Sequence, residues 1–337
     1  MLFPIFVFLI FSISQVSAKS CEECLSEGNH YCPSVKACNF SPCPDVVKKP
    51  INCPWVPNST YAYDDHTART LWLPLIGAGA TDAKHAQLCF DNNWPTLKVS
   101  KHILVNCSNP HELHSQCSMI TAYDTTKKII VMTFRGTTGN GQMADEILSF
   151  FGGKRKFFDS GMVFEYFYDA FNSLWNGGLG TEIRNLKYLY PDFELWASGH
   201  SLGGSLASVG ASWVVKTGLF KPEKIKLLTV GQPRTGDYDY AWWHQNTFLY
   251  SYRVVHHKDP VPHIPPQYEL DKDRMYHHRT EIWYNNNMEV GSKYHICPEA
   301  DGFHCSNQQL DPIPMDHIHY YNVDLGTYGG SGCPRIN

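Results

Sequence analysis

The chain has 337 residues, with 28 Lys+Arg against 32 Asp+Glu for a formal net charge of −4; 18% of residues are charged, 43% hydrophobic and 14% aromatic. That profile excludes a disordered chain, a collagen and a coiled coil, and the slight acidity argues against a protein that meets nucleic-acid phosphates with a basic field. The length allows one large domain or two ordinary ones, with core enough to fold without metal or disulfide, so the 12 cysteines need another explanation.

The first residues supply it. Met1 to Phe11 is an apolar run, and Val16-Ser17-Ala18 puts small residues at −3 and −1 of a cleavage point. Residues 1–18 read as a secretory signal peptide, although the usual basic start is missing. A membrane anchor would need roughly 20 apolar residues, and no later run reaches that length, so no transmembrane segment is expected. Export to an oxidising compartment accounts for the cysteines. It also gives meaning to Asn58-Ser59-Thr60, a glycosylation sequon; the triplets at Asn39 and Asn106 fit the pattern poorly.

Six cysteines (21, 24, 32, 38, 43 and 53) crowd into residues 19–53. So short a segment buries little apolar surface, and we expect a small disulfide-held module whose pairing the sequence does not choose. Cys21-x-x-Cys24 reads as part of that framework rather than as a zinc or redox motif.

Residues 54–337 alternate strand-like and helix-like patterns, the signature of an α/β layout. Residues 66–89 are predicted as one helix, with Leu71, Leu73, Leu75, Ile76 and Leu88 buried. Met119–Tyr123 and Lys128–Phe134 read as a hairpin. Phe164–Leu174, Thr181–Tyr190 and Leu202–Thr217 are predicted helices, the last closed by Gly218. Phe193–Ala197, Ile225–Val230, Tyr252–His256 and Glu281–Tyr284 are predicted strands.

The most informative stretch is Phe193-Glu-Leu-Trp-Ala-Ser-Gly199-His200-Ser201-Leu202-Gly203-Gly204, a G-x-S-x-G directly between a strand and a helix. A serine hydroxyl is a weak nucleophile, and a tight turn holds it out where a base can reach it. Gly199 and Gly203 let strand and helix approach, and the Leu202 amide opens a helix N-terminus that can face an oxyanion. Otherwise Ser201 would be only the N-cap of an αβ loop. Such a turn requires an acid and a histidine later in the chain. Asp259, just past a strand end in Lys258-Asp259-Pro260-Val261-Pro262, suits the acid, unless it only forms a turn before proline. Its histidine could be His263, His277, His278, His295, His304, His317 or His319; local pattern does not separate them.

These blocks resemble the class 3 (fungal-type) lipases of the α/β-hydrolase fold. Ile130-Val-Met-Thr-Phe-Arg135-Gly136-Thr137 resembles the family's oxyanion strand, Gly199–Gly204 its elbow, and Val230-Gly231-Gln232-Pro233-Arg234-Thr-Gly236 the next strand end. Val254–Pro266 resembles the acid loop and Asp316-His317-Ile318-His319-Tyr320 the histidine block. The resemblance spans residues 60–325. It implies a central, mostly parallel sheet flanked by helices, with the disulfide-rich module added at the N-terminus. It also implies a triad of Ser201, Asp259 and His317, and an oxyanion hole from the Leu202 and Thr137 amides, with the Thr137 hydroxyl as a third donor. His319 would be a neighbour, and neither a metal nor a cofactor is expected.

Thr138 to Phe158 would correspond to an amphipathic lid in which Ile147, Leu148, Phe150 and Phe151 cover an acyl pocket; an ordinary surface helix is the alternative. Val163-Phe164-Glu165-Tyr166-Phe167 departs from the family's usual His-x-Gly-Phe run. Cys297 with Cys305 would hold the histidine loop, Cys107 with Cys117 would form a second local bridge, and Cys89 with Cys333 would remain. The function implied is a secreted serine esterase acting on acylglycerols, with a lipid or ester substrate met at a lipid–water interface. A phospholipase, an esterase for soluble or aromatic esters, and a silent binding protein are the alternatives.

Overall fold

A computed structural model of the protein describes residues 19–107, 116–136, 152–267, 274–302 and 304–336. The chain divides into two compact units, Met1–Pro54 and Trp55–Asn337.

In the first unit, a helix at Cys21–Ser26 starts at a capping box, the Ser20 hydroxyl accepting from the Glu23 amide while the Glu23 carboxylate accepts from the Ser20 amide. A short hairpin pairs Tyr31–Cys32 with Ala37–Cys38. Disulfides join Cys21 to Cys53, Cys24 to Cys38 and Cys32 to Cys43. The buried cluster is Cys21, Cys24, Tyr31, Val47 and Cys53, with Cys32 and Ile51 buried beside it among the described residues, so cross-links take over much of the stabilisation that a larger core would give.

The second unit is an eight-stranded sheet: β1 (Lys98–Asn106), β2 (Gln116–Asp124), β3 (Ile129–Phe134), β4 (Glu194–His200), β5 (Ile225–Val230), β6 (Tyr250–His256), β7 (Glu281–Tyr284) and β8 (His295–Cys297). Spatial order follows chain order. Strands β3 to β7 pair in parallel; β1, β2 and β8 are antiparallel additions at the two edges. Strand β3 is buried throughout, as a central parallel strand must be. Its Ile130, Met132 and Phe134 enter one core and Ile129 and Val131 the other. Helices α1 (Leu73–Gly79), α2 (Ala83–Asn93), α3 (Glu165–Leu174), α4 (Gly180–Leu189), α5 (Leu202–Lys216) and α6 (Tyr238–Thr247) complete the layers. A small sheet joins Lys154–Lys156, Met162–Phe164, Gly236–Asp237 and Met275–Tyr276, so the run that departs from the family pattern forms a strand and the start of α3.

The single helix expected over residues 66–89 is two. After Gly79 the chain turns, and the Asp82 carboxylate caps a fresh helix by accepting from the His85 amide at 2.9 Å. The new start resets the helical phase: Ala86, Cys89 and Phe90 are buried, and Leu88 is 45% exposed instead of buried. Strand β1 and helix α6 went unread. The first is an edge strand whose exposed and half-buried residues hide the alternation, and the second is built from aromatic and polar residues.

Cys89–Cys333, Cys107–Cys117 and Cys297–Cys305 are the disulfides of this unit. Among the described residues, no helix is long and apolar enough to cross a membrane. The core on the α1–α2 face centres on Trp72, fully buried and stacked on Trp196 at 4.5 Å and on Tyr250 at 5.9 Å between ring centroids. Trp72→Ala is expected to lower unfolding free energy by about 3–5 kcal/mol, read as a shift in the denaturant midpoint at unchanged slope.

Candidate active site

The site begins where β4 becomes α5. Ser201 takes φ 57° and ψ −128°, a conformation costing on the order of 1–3 kcal/mol in a residue with a Cβ. Neighbours hold it there: the Ser201 amide donates to the Val230 carbonyl at 3.0 Å, and the Gly204 amide donates to the Ser201 carbonyl at 2.9 Å. The turn closes this tightly because α5 starts against β3. A Cβ on Gly203 would lie 2.3 Å from the Phe134 carbonyl oxygen. Leu202 is the first residue of α5, so its amide belongs to the turn whose N–H groups lack intrahelical acceptors. Thr137 and residues 138–151 of the expected lid lie outside the described residues, as do residues 1–18.

Asp259 follows β6 and is completely buried. Its carboxylate accepts from His317 Nδ1 at 3.0 and 2.9 Å, from the Tyr320 hydroxyl at 2.6 Å and from the Val261 amide at 2.8 Å. Burial alone would raise its pKa; the His317 charge and these hydrogen bonds outweigh that and hold the carboxyl below the ordinary carboxylate range. Burial, with the Asp259 charge next to it, pushes the Tyr320 hydroxyl far above its usual value, so it stays a donor.

His317 sits on a single helical turn, Pro314–His317, and is buried. With Nδ1 given to Asp259, Nε2 is the nitrogen left for chemistry. Both His317 Nε2 and Ser201 Oγ are buried without a hydrogen-bond partner among the described residues. The Val230–Gly231 junction lies between them. Val230 receives the Ser201 amide, while a Cβ on Gly231 (φ 60°) would meet His317 Cε1 at 2.9 Å, His317 Nδ1 at 3.0 Å and an Asp259 oxygen at 3.1 Å.

Around His317 the structure adds residues that the sequence did not single out. The Asp316 carboxylate accepts from the Lys258 amide at 3.0 Å and from His257 Nδ1 at 2.9 Å, and the Asp316 carbonyl accepts from His256 Nδ1 at 3.0 Å. From the other side, His200 Nε2 donates to the His317 carbonyl at 2.7 Å. The only sequence signals for these were position: Asp316 precedes His317, Tyr320 follows it by three, and His200 is the variable residue of the elbow.

The remaining histidine candidates lie elsewhere. His319 is partly exposed and donates to the Met315 carbonyl. His263 bonds Asn307, His277 donates to the Pro262 carbonyl, and His278 stacks on His244 at 3.7 Å. His295 lies on the edge strand against Trp283, and His304 is exposed. Among the described residues, two clusters bring ligand-type atoms within 4.8 Å, Cys32/Cys43/Asp45 and Glu281/Cys297/Cys305. In both the sulfurs are tied in disulfides, which removes the thiolates a metal would take.

A mostly parallel sheet with a serine on a strained strand–helix turn, and an acid and a histidine at later positions, defines an α/β-hydrolase. The class 3 lipase family model matches residues 131–269. A lipase of Caenorhabditis elegans is 30% identical over 241 residues, covering 64% of this chain and 67% of that protein. A secreted mono- and diacylglycerol lipase of Fusarium solani is 32% identical over 147 residues, 43% of this chain and 42% of its own. The solved triacylglyceride lipase of Rhizomucor miehei superposes with a TM-score of 0.64 at 20% identity, covering 79% of this chain and 97% of that one. The chain belongs to the class 3 lipase family and is a carboxylic ester hydrolase.

Two measurements follow from the site. Gly231→Ala should lower kcat/KM by about a hundredfold or more, since the added methyl displaces His317 from Asp259, while the enzyme still unfolds cooperatively. Acid sensitivity follows from the histidines. Burial lowers His200 and His278 from 6.5 to about 3, and it takes His244 and His277 well below 6.5. Unfolding frees them to bind protons at their ordinary value. The stability they contribute is therefore fully present above about pH 6.5 and is lost as pH falls toward about 3. Tm measured from pH 8 down to pH 4 should be level at first and then fall steadily below about pH 6.5.

Proposed function

We propose that this lipase acts on acylglycerols through an acyl-enzyme, with Ser201 as nucleophile, His317 as general base and acid, and Asp259 as the group that orients His317. The observation that carries the reading is the state of two atoms. Among the described residues, Ser201 Oγ and His317 Nε2 are buried without a hydrogen-bond partner, while His317 Nδ1 is committed to Asp259. A buried polar atom without a partner is costly, and at a catalytic turn the cost is met by substrate.

In this reading His317 Nε2 takes the Ser201 proton as Oγ attacks the ester carbonyl. The oxyanion of the tetrahedral intermediate is received by the amides of Leu202 and Thr137, each such donor worth about 10²–10³ in kcat. Collapse expels the alcohol, protonated by His317, and a water activated by the same nitrogen then releases the acid. The buried Asp259 carboxylate keeps the proton on Nδ1 and balances the imidazolium. The acylglycerol substrate is supported by the names of the relatives from Fusarium and Rhizomucor.

Secretion is supported by the apolar start of the chain and by twelve cysteines that are all paired. Residues 1–18 would be the signal peptide, 19–53 the Cys-rich module and 54–337 the catalytic domain. Asn58 is exposed and caps a single turn at Ser59–Tyr61, which leaves it open to glycosylation.

Ser201→Ala should reduce hydrolysis of a p-nitrophenyl ester by about 10⁴-fold or more at unchanged Tm, and retained activity would overturn the triad. Emulsified triacylglycerol should be turned over faster once droplets form. Turnover confined to soluble esters would move the substrate class to small esters, and preference for phospholipid emulsions would make it a phospholipase.

A further inference from the structure

The variable position of the elbow is a histidine, and the mechanism above leaves it unused. His200 ends β4, one residue before Ser201. Its ring lies against the ring of His317, 4.5 Å between centroids and 35° between planes, and within 5.9 Å of the Tyr320 ring. Its Nε2 donates at 2.7 Å to the main-chain carbonyl of His317 itself. A carbonyl only accepts, so Nε2 carries the proton and the tautomer is set.

The consequence concerns which parts of the site are held to which. His317 is carried on a segment that the acid loop grips through Asp316, by the backbone amide of Lys258 and by His256 and His257. These contacts place His317 relative to Asp259. They do not place it relative to Ser201, which sits at the turn between β4 and α5. Among the described residues, His200 supplies the side-chain hydrogen bond that runs from the elbow to the His317 backbone. We propose that His200 is a positioning residue, which through its Nε2–H fixes the distance between the base and the nucleophile. The inference rests on the Ser201–His317–Asp259 reading and assigns the elbow histidine a role beyond it.

The charge state of the ring agrees with that role. Groups facing His200 are His317, Asp259 and Tyr320. Desolvation first, and the His317 charge second, lower it from 6.5 to about 3. It therefore stays neutral through the working range and sets no second cation beside the imidazolium formed at His317. A lysine could make the same hydrogen bond but would bring that cation with it.

Two variants separate the hydrogen bond from the packing. His200→Phe keeps a flat ring against His317 and loses the donor, whereas His200→Gln loses the ring and keeps an N–H near the place of Nε2. In the full chain, with a soluble p-nitrophenyl ester, His200→Phe is expected to lower kcat by about 10- to 100-fold, with KM within about twofold, because a small displacement of the base acts on the chemical step. His200→Gln is expected to recover most of that loss. Tm of both variants, measured alongside, reports the packing. Parental kcat in His200→Phe, next to an inactive Ser201→Ala, would overturn this inference and leave the triad standing. Equal losses in kcat for the two variants would also overturn it, since the donor would then not matter. An active Ser201→Ala would remove the triad, and the role of His200 with it.

Discussion

The site depends on how closely α5 can approach β3 and β4. Where a side chain would stand, Gly203 meets the Phe134 carbonyl, and the buried face of the helix continues in Gly204, Ser205, Ala207, Ser208 and Gly210. Small residues let the helix lie against the sheet, and that proximity forces the one-residue reversal at Ser201. The strain of a non-glycine residue at φ 57° is therefore sustained by packing along the helix that follows.

A second constraint is the burial of Asp259. A carboxylate removed from water must be matched by donors, and each of its donors also shapes the site: the Val261 amide sets the loop after β6, Tyr320 belongs to the segment after His317, and His317 is the proposed base. One stretch of chain, residues 316–320, thus supplies the proposed base, two side-chain donors to Asp259 and an anchor to the loop after β6. Electrostatics and chain geometry are satisfied by the same few hydrogen bonds.

Much of this was legible in the sequence wherever the chemistry was local. The turn at Ser201 announces itself because glycines, strand and helix lie within twelve residues, and Asp259 because prolines follow it at a strand end. His317 was not legible in that way: seven histidines follow Asp259, and only the family resemblance chose among them. Tyr320, Asp316 and His200 were invisible for a physical reason. Each matters through a partner about 60 or more residues away, and a hydroxyl or imidazole in sequence looks the same whether it meets a buried carboxylate or water. The helix error over 66–89 has the opposite cause. Leu88 has the right chemistry for burial, but the cap at Asp82 turned it to the surface.

The pattern of cross-links carries a topological consequence. Three disulfides close within residues 21–53 and three within residues 89–333, and none passes from one set to the other. The outermost bridge of the larger unit joins Cys89 to Cys333, so any single backbone scission between them leaves both fragments in one covalent molecule. A scission between Cys53 and Cys89 leaves no covalent tie between the pieces. Under non-reducing conditions the same number of cuts therefore yields one intact mass or two separate ones, according to which side of Cys89 the peptide bond lies.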